Sequence, residues 1–142
     1  MKRFITSIGL AFALGTGVAY ADEKEADDCL RNKIWAGYES GWAVRTATTI
    51  SLEEDAHRVF LVTLYQGTEY KMMVCGDKDA TNLDIVLHDM KGTEILRDQD
   101  DSREPFLTYT PKETQTFYVA VYAASVSEEA ESTGVAFAVT YK

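Results

Sequence analysis

The sequence predicts an all-β protein, an antiparallel β-sandwich or jelly roll of seven to eight strands, with a short N-terminal helix. Three observations predict it. From about residue 47, short segments alternate apolar and polar side chains, which is the period of a strand with one buried face. Gly, Asp, Asn and Pro separate these segments at short intervals. Between the segments, no stretch has the length of a crossover helix, which argues against a parallel sheet.

The first predicted element is a helix over about residues 26–38. Leu30, Ile34, Tyr38 and Trp42 recur every four residues, so they share one stripe of a helix. Glycine destabilises a helix interior by about 1 kcal/mol relative to alanine, and glycines occupy positions 37 and 41. We therefore end the predicted helix near residue 38.

The strands follow from the change to a period of two. The clearest segment alternates Phe117, Val119 and Val121 with Tyr118 and Tyr122, so the two tyrosines point outward if Phe117 faces the core. Gly67 predicts a tight hairpin between the second and third segments. The predicted strands cover residues 47–52, 58–65, 69–75, 83–88, 93–97, 106–110, 115–123 and 134–141.

The N-terminus has the pattern of a secretory signal peptide. Lys2 and Arg3 precede an apolar run over residues 4–18, and Ala19 and Ala21 are the small residues that signal peptidase accepts. The run is shorter than the roughly 20 residues of a membrane span, although an uncleaved anchor is the alternative. The sequence thus predicts export to the periplasm or the exterior, with no membrane insertion after cleavage. The predicted divisions are a signal peptide at 1–21 and one domain at 22–142, with a helical segment at 22–45 and a sandwich from about 47 to 142.

The charge is strongly negative. The chain has 14 Lys+Arg and 23 Asp+Glu, a net charge of −9. Loss of Lys2 and Arg3 with the signal peptide leaves 12 against 23, a net charge of −11. Such a surface repels nucleic acid and anionic lipid, because phosphate contacts need Lys or Arg. It is compatible with a cation or a basic partner, and it also serves solubility alone.

The two cysteines, Cys29 and Cys75, predict a disulfide in an oxidising compartment. It would join the N-terminal segment to the middle of the domain. A zinc site is a poor alternative, since His57 and His88 lack ligand spacing. A catalytic cysteine also fits badly, because no base accompanies either thiol.

The order of motifs from about residue 56 to 141 resembles the bacterial pre-peptidase C-terminal domain, a calcium-tolerant β-sandwich found beside secreted proteases. The resemblance implies a sandwich and an accessory role. Thr116 departs from the pattern, because the family usually has glycine before the aromatic-Tyr strand. The motifs that carry the resemblance are Gly-Thr-Glu-Tyr at 67–70, Leu-Asp-Ile-Val-Leu at 83–87, Asp-Met-Lys-Gly at 89–92, Asp-Gln-Asp-Asp at 98–101, Phe-Tyr-Val-Ala-Val at 117–121 and Ala-Phe-Ala-Val at 136–139.

Three acidic clusters supply the hard oxygen ligands that calcium prefers, and alternate acids on a bent loop can converge on one ion. The best candidate is the second cluster. The alternative for each cluster is a solvated charged turn. The clusters are Asp77, Asp79, Asn82 and Asp84; Asp98, Asp100, Asp101 and Glu104; and Glu128, Glu129 and Glu131.

No nucleophile motif or catalytic constellation is evident, so we predict that the chain is not an enzyme. The first hypothesis is an exported, non-catalytic binding or accessory domain that recognises a protein, or a glycan as the lesser option. Its candidate contact residues are Tyr118, Tyr122 and Trp42. For Trp42, and for Trp35 beside the stripe, we favour a position in the core over a position on a ligand surface. The alternatives are a periplasmic inhibitor or immunity protein against a basic enzyme, and a calcium-stabilised structural module.

Overall fold

A computed structural model describes residues 21–142, so the predicted signal peptide lies outside the described residues except for Ala21. The described chain has one helix and eight strands, and the predicted fold class is confirmed. The elements are α1 (Glu23–Glu39), β1 (Ala43–Glu53), β2 (His57–Leu64), β3 (Tyr70–Gly76), β4 (Ala80–His88), β5 (Glu94–Asp98), β6 (Phe106–Tyr109), β7 (Gln115–Val126) and β8 (Ser132–Tyr141). No helix in this part of the chain is long and apolar enough to cross a bilayer.

The strands form two four-stranded antiparallel sheets. The first sheet has the order β1-β8-β3-β6, and the second has the order β2-β7-β4-β5. Only β4 and β5 are consecutive strands that pair with each other. The predicted hairpin at Gly67 is therefore wrong: its turn, with a φ of 78°, carries the chain from one sheet to the other. Residues 80–82, expected in a loop, begin β4 and pair with the end of β7.

The core lies between the inner faces of the sheets. Phe117 and Val119 of β7 are fully buried there, as the alternation predicts. Phe60 of β2 stacks on Phe137 of β8 across the gap, with ring centroids 4.7 Å apart. Such apolar burial contributes about 25 cal/mol per Å² removed from water and supplies the main driving force for folding.

Helix α1 covers the outer face of the first sheet. Its buried residues Ala26 and Leu30 pack on Met73 of β3 and on Ala136 and Ala138 of β8. Both faces of β8 are therefore covered, and every residue from 133 to 140 is buried.

The docking face of α1 was only partly predictable. Trp35 was expected in the core, but 67% of its surface is exposed, and it stacks on Tyr38 with centroids 5.8 Å apart. Ala26, Leu30 and Ile34 form the stripe that meets the sheet. Residue 35 lies about 100° around the axis from residue 34, because a helix has 3.6 residues per turn.

The predicted disulfide is present. Cys29 of α1 is bonded to Cys75 of β3, with their Cα atoms 5.9 Å apart. Cys75 is fully buried under the helix. The bond therefore holds α1 on the first sheet, and both cysteines of the chain are used.

Candidate functional site

Four loops meet at one end of the sandwich, which we call the acidic end. They are the alternate connections of an antiparallel chain, β1–β2, β3–β4, β5–β6 and β7–β8, and they occupy residues 54–56, 77–79, 99–105 and 127–131. Backbone hydrogen bonds hold these loops to one another or to the adjoining strands. Ser127 donates to the carbonyl of Asp79 at 2.8 Å, Gly76 of β3 donates to that of Arg103 at 2.8 Å, and Asp55 donates to that of Ala123 in β7 at 2.8 Å. The three acidic clusters of the sequence therefore lie close together.

The acidic end is highly unbalanced in charge. Its four loops contain ten carboxylates against two cationic side chains, Lys78 and Arg103. The four connections at the opposite end, residues 40–42, 65–69, 89–93 and 110–114, contain three carboxylates and two lysines. Negative charge is thus concentrated at one pole of the molecule.

Most acidic side chains of these loops are free to meet a partner. Eight of the ten carboxylates are on exposed residues. Within residues 21–142, only Glu104 of these eight has a cationic group within 4 Å, the ammonium of Lys33 at 3.4 Å. Unpaired, exposed carboxylates create a field that attracts a cationic surface. The exposed set is Glu54, Asp55, Asp100, Asp101, Glu104, Glu128, Glu129 and Glu131.

Asp77 is the exception, because it is fully buried and organises this end of the fold. Its carboxylate accepts hydrogen bonds from Thr133 Oγ1 at 2.6 Å and from the backbone amides of Gly134, Asp22 and Asp79 at 2.7, 2.8 and 2.9 Å. Burial alone would raise the pKa of Asp77, but these four donors outweigh burial and hold its pKa below the usual value. The sequence analysis placed Asp77 among the calcium candidates. Three of its four partners, Asp22, Thr133 and Gly134, instead come from elements distant in the chain.

The four predicted calcium ligands do not converge in the structure. Asp98 accepts the backbone amides of Asp100 and Phe106 at 3.1 and 3.0 Å, and so closes its own loop. Asp101 accepts a hydrogen bond from Asn82 at 3.3 Å, while Glu104 lies over the disulfide, 3.2 Å from Cys29 Sγ. Within the described chain, the one cluster with metal-ligand spacing is Cys29, Cys75 and Glu104, and its sulfurs are in the disulfide. Calcium binding remains a prediction.

The outer face of the second sheet adjoins the acidic end. Tyr118 and Tyr122 lie on this face, half-buried, as the sequence predicts for outward residues of β7. His57 stacks on Tyr122 with centroids 5.0 Å apart. Leu61 and Val59 of β2 are 64% and 45% exposed on the same face. This surface combines aromatic and aliphatic contact area with nearby charge.

A carboxyl group lies between the two surfaces. Asp84 of β4 pairs with Tyr122 in the sheet register, and both line a shallow depression with Asp55 and Arg97. Burial raises the pKa of Asp84; Arg97 opposes this rise, while Asp98 and Asp101 add to it. In the described chain, Asp84 Oδ1 is buried without a hydrogen-bond partner. The burial of this unpaired oxygen therefore lowers the stability of the folded protein, and no contact within the described chain explains why the carboxyl group lies there.

Trp42, the third predicted contact residue, lies elsewhere. It is half-buried between α1 and β1, where it lines a depression with Lys33, Lys71 and Phe106. The ammonium of Lys71 lies 4.8 Å from the ring centroid of Phe106. The structure therefore brings Tyr118 and Tyr122 together on one face and separates Trp42 from them.

Fold and site together define a small disulfide-bridged β-sandwich with an acidic end. No family model matches the chain, and no curated protein matches it. Among solved structures, it is similar to the crystal structure of Aeromonas hydrophila PliG, a periplasmic lysozyme inhibitor of g-type lysozyme. The likeness has a TM-score of 0.50 and 15% sequence identity, and it covers 70% of this chain and 88% of that chain. At this identity, the likeness establishes the fold.

Proposed function

We propose that this chain is an exported inhibitor that captures a basic enzyme of the lysozyme class. This is a specific form of the non-catalytic, protein-binding domain that the sequence predicts. The observation that carries the proposal is the acidic end, where eight exposed carboxylates have a single cationic partner among the described residues. A fold shared with a periplasmic lysozyme inhibitor and a disulfide suited to an oxidising compartment support it.

The charge distribution favours capture of a cationic protein. Long-range attraction between complementary surfaces raises the association rate, and salt weakens this attraction. Because backbone hydrogen bonds hold these loops to one another or to the adjoining strands, the acidic end presents its carboxylates without a large ordering cost when a partner binds. The acidic end therefore supplies speed and orientation.

The neighbouring sheet face supplies contact area. Exposed rim charges contribute little affinity by themselves, whereas buried aromatic anchors dominate most interfaces. Tyr118 and Tyr122 can become such anchors, because they are half-buried on a face that α1 does not cover. Arg97 and Asp84 at the border can pair with polar groups of the partner. Binding by this combined surface requires no chemistry from the chain, so the inhibitor acts by blocking its target.

The test is inhibition of cell-wall lysis by a purified g-type lysozyme, with a lysozyme of another type in parallel. We expect inhibition with an association rate that falls steeply between about 0.01 M and about 0.3 M salt, as the screening length shortens. A correctly folded protein that inhibits neither enzyme would contradict the proposal. If salt does not change binding, the acidic end does not contribute to capture, and that part of the proposal is wrong.

Two triple variants with the same charge change separate position from net charge. The first neutralises the β7–β8 loop, and the second neutralises three exposed glutamates at or near the opposite end. We expect the first to slow association about tenfold and the second to leave it nearly unchanged. Equal effects would show that net charge alone matters. The variants are Glu128→Gln/Glu129→Gln/Glu131→Gln and Glu39→Gln/Glu69→Gln/Glu113→Gln.

A further inference from the structure

The backbone of Asp22 is held in a specific place. Its nitrogen lies 2.8 Å from Oδ2 of the buried Asp77. On the other side it meets Gly134 so closely that a Cβ at position 134 would lie 2.4 Å from the Asp22 carbonyl oxygen. The Asp22 side chain caps α1 by accepting a hydrogen bond from the Glu25 amide at 2.9 Å. The residue directly after Ala21 is therefore seated on β8 and on the acidic end.

We propose that Asp22 is the mature N-terminal residue and that its α-ammonium group forms an ion pair with the Asp77 carboxylate. The inference rests on the export cleavage predicted between Ala21 and Asp22, and it is independent of the target of inhibition. Hydrolysis of that peptide bond consumes one water molecule. It leaves a carboxylate on Ala21 and an ammonium on Asp22, which takes the place of the amide that now faces Asp77.

Cleavage would supply a positive charge, which the surroundings of the Asp77 carboxylate lack. Its four hydrogen-bond donors are neutral, and within the described residues no cationic group lies within 4 Å of the carboxylate. Arg103 donates to the backbone carbonyl of Asp77 at 3.5 Å. A charge-assisted hydrogen bond is about twice as strong as a neutral one. The ammonium would thus provide a counter-ion for a buried carboxylate. It would also fasten the start of α1 to β8.

Charges around the Asp22 nitrogen favour a cation there. On its own element, Asp22, Glu23 and Glu25 contribute carboxylates, and these also offset the positive end of the helix dipole. From the adjacent loop, Asp77 and Asp79 add two more. The groups of β8 that face the Asp22 nitrogen are neutral. In β1, the hydroxyl of Ser51 donates a hydrogen bond to Glu23 at 2.7 Å. Arg103 and the exposed Lys24 are the opposing cations.

The experiment exports the full chain in a bacterium and purifies it from the periplasm. Intact mass and N-terminal sequencing identify the first residue, which we expect to be Asp22. A matched precursor carries one extra glycine between Ala21 and Asp22, so that its mature form has an amide at Asp22 and an ammonium one residue away. We expect the native form to melt about 5 °C higher at pH 7. The difference should be present near neutral pH, vanish above about pH 8 as the amine loses its proton, and vanish in acid as Asp77 becomes protonated, because the pair needs both charges.

An Asp77→Asn variant of each form completes the cycle. Without the carboxylate, we expect the native and glycine-extended proteins to melt at the same temperature. If Asp77→Asn does not fold, the pH dependence of the melting difference between the two Asp77 proteins decides. A mature N-terminus other than Asp22, or equal melting temperatures at pH 7, would overturn the inference. Neither outcome bears on lysozyme inhibition, which the same proteins report separately.

Discussion

The sulfur of Cys29 in α1 is bonded to that of Cys75 in β3, with Glu104 Oε1 of the acidic end 3.2 Å from the Cys29 sulfur. The bond closes a loop with a sequence separation of 46 residues. One covalent link therefore fixes the helix to the first sheet, and Glu104 brings the edge of the acidic end against that link.

Removal of the disulfide should lower the free energy of unfolding by about 4 kcal/mol in the chain-entropy model. The variant is Cys29→Ala with Cys75→Ala, and urea denaturation measures the loss. The native protein under reducing conditions should show a loss of similar size, and native protein without reductant is the control. A loss below about 1 kcal/mol would mean that packing of Leu30 on the sheet holds α1 without the bond.

Asp77→Asn should destabilise the protein by about 2–3 kcal/mol at pH 7, because an amide cannot accept all four hydrogen bonds. The pKa of Asp77 is lowered in the folded protein, so its contribution is present above the ordinary value near 4 and disappears as pH falls through the folded value. Urea denaturation from pH 7 to pH 3 measures this. Asp100→Asn, at an exposed position, is the control, and an unchanged acid dependence in Asp77→Asn would contradict the assignment.

Asp84→Asn should raise the free energy of unfolding at pH 7, whereas Asp77→Asn lowers it. Burial, opposed by Arg97, raises the pKa of Asp84, so the charged carboxylate costs stability above its ordinary titration range, and this cost vanishes at low pH. We expect a gain of less than about 1 kcal/mol at pH 7 and no gain near pH 3. If the sheet face binds the target, the same variant should inhibit less strongly. A loss of stability at pH 7 would show that the electrostatic attraction between Asp84 and Arg97 outweighs the cost of burial.

Tyr118→Ser with Tyr122→Ser should weaken capture of the target by more than tenfold, which corresponds to about 1.4 kcal/mol. Calorimetry measures affinity, and circular dichroism checks the fold. Tyr65→Ser is the matched control, because Tyr65 is 54% exposed at the opposite end. If the double variant fails to fold, the tyrosines serve structure and the contact surface lies elsewhere.

Calcium should shift the melting temperature by less than about 1 °C, because three of the four candidate carboxylates already have separate partners. Asp98 accepts hydrogen bonds from two backbone amides, Asp101 accepts one from Asn82, and Glu104 lies 3.4 Å from the Lys33 ammonium. Calorimetry with excess calcium and with chelator measures the shift. A larger stabilisation, abolished in Asp98→Asn, would establish a cation site and favour the structural-module hypothesis.

Much of the fold was predictable, because periodicity reports which face of an element is buried. The strand around Phe117, the helix around Leu30 and the Cys29–Cys75 bond all follow from local pattern and cysteine number. The pairing of strands was not predictable. A glycine turn such as that at Gly67 can join two strands of one sheet or link two sheets, and the choice depends on contacts distant in the chain.

The sequence predicted the acidic segments of the candidate site but not the contacts that join them. The acidic segments were evident, and their convergence could have been inferred, since alternate connections of an antiparallel sandwich share one end. The function of Asp77 could not, because its partners Asp22 and Gly134 are 55 and 57 residues away in sequence. Trp35 was wrongly expected in the core. It lies beside the four-residue repeat, and the repeat does not show how wide a strip of the helix surface the sheet covers.

The burial of β8 on both faces has a consequence for aggregation of the unfolded or reduced chain. Residues 133–141 contain no charged residue and no proline, and they are rich in β-branched and aromatic side chains, which is the composition of an amyloid-forming segment. In the native protein, β1 and β3 occupy its two edges while α1 and the core cover its faces. Detachment of α1 after reduction of the disulfide uncovers one of these faces. We therefore expect the reduced protein to form fibrils more readily than the oxidised protein.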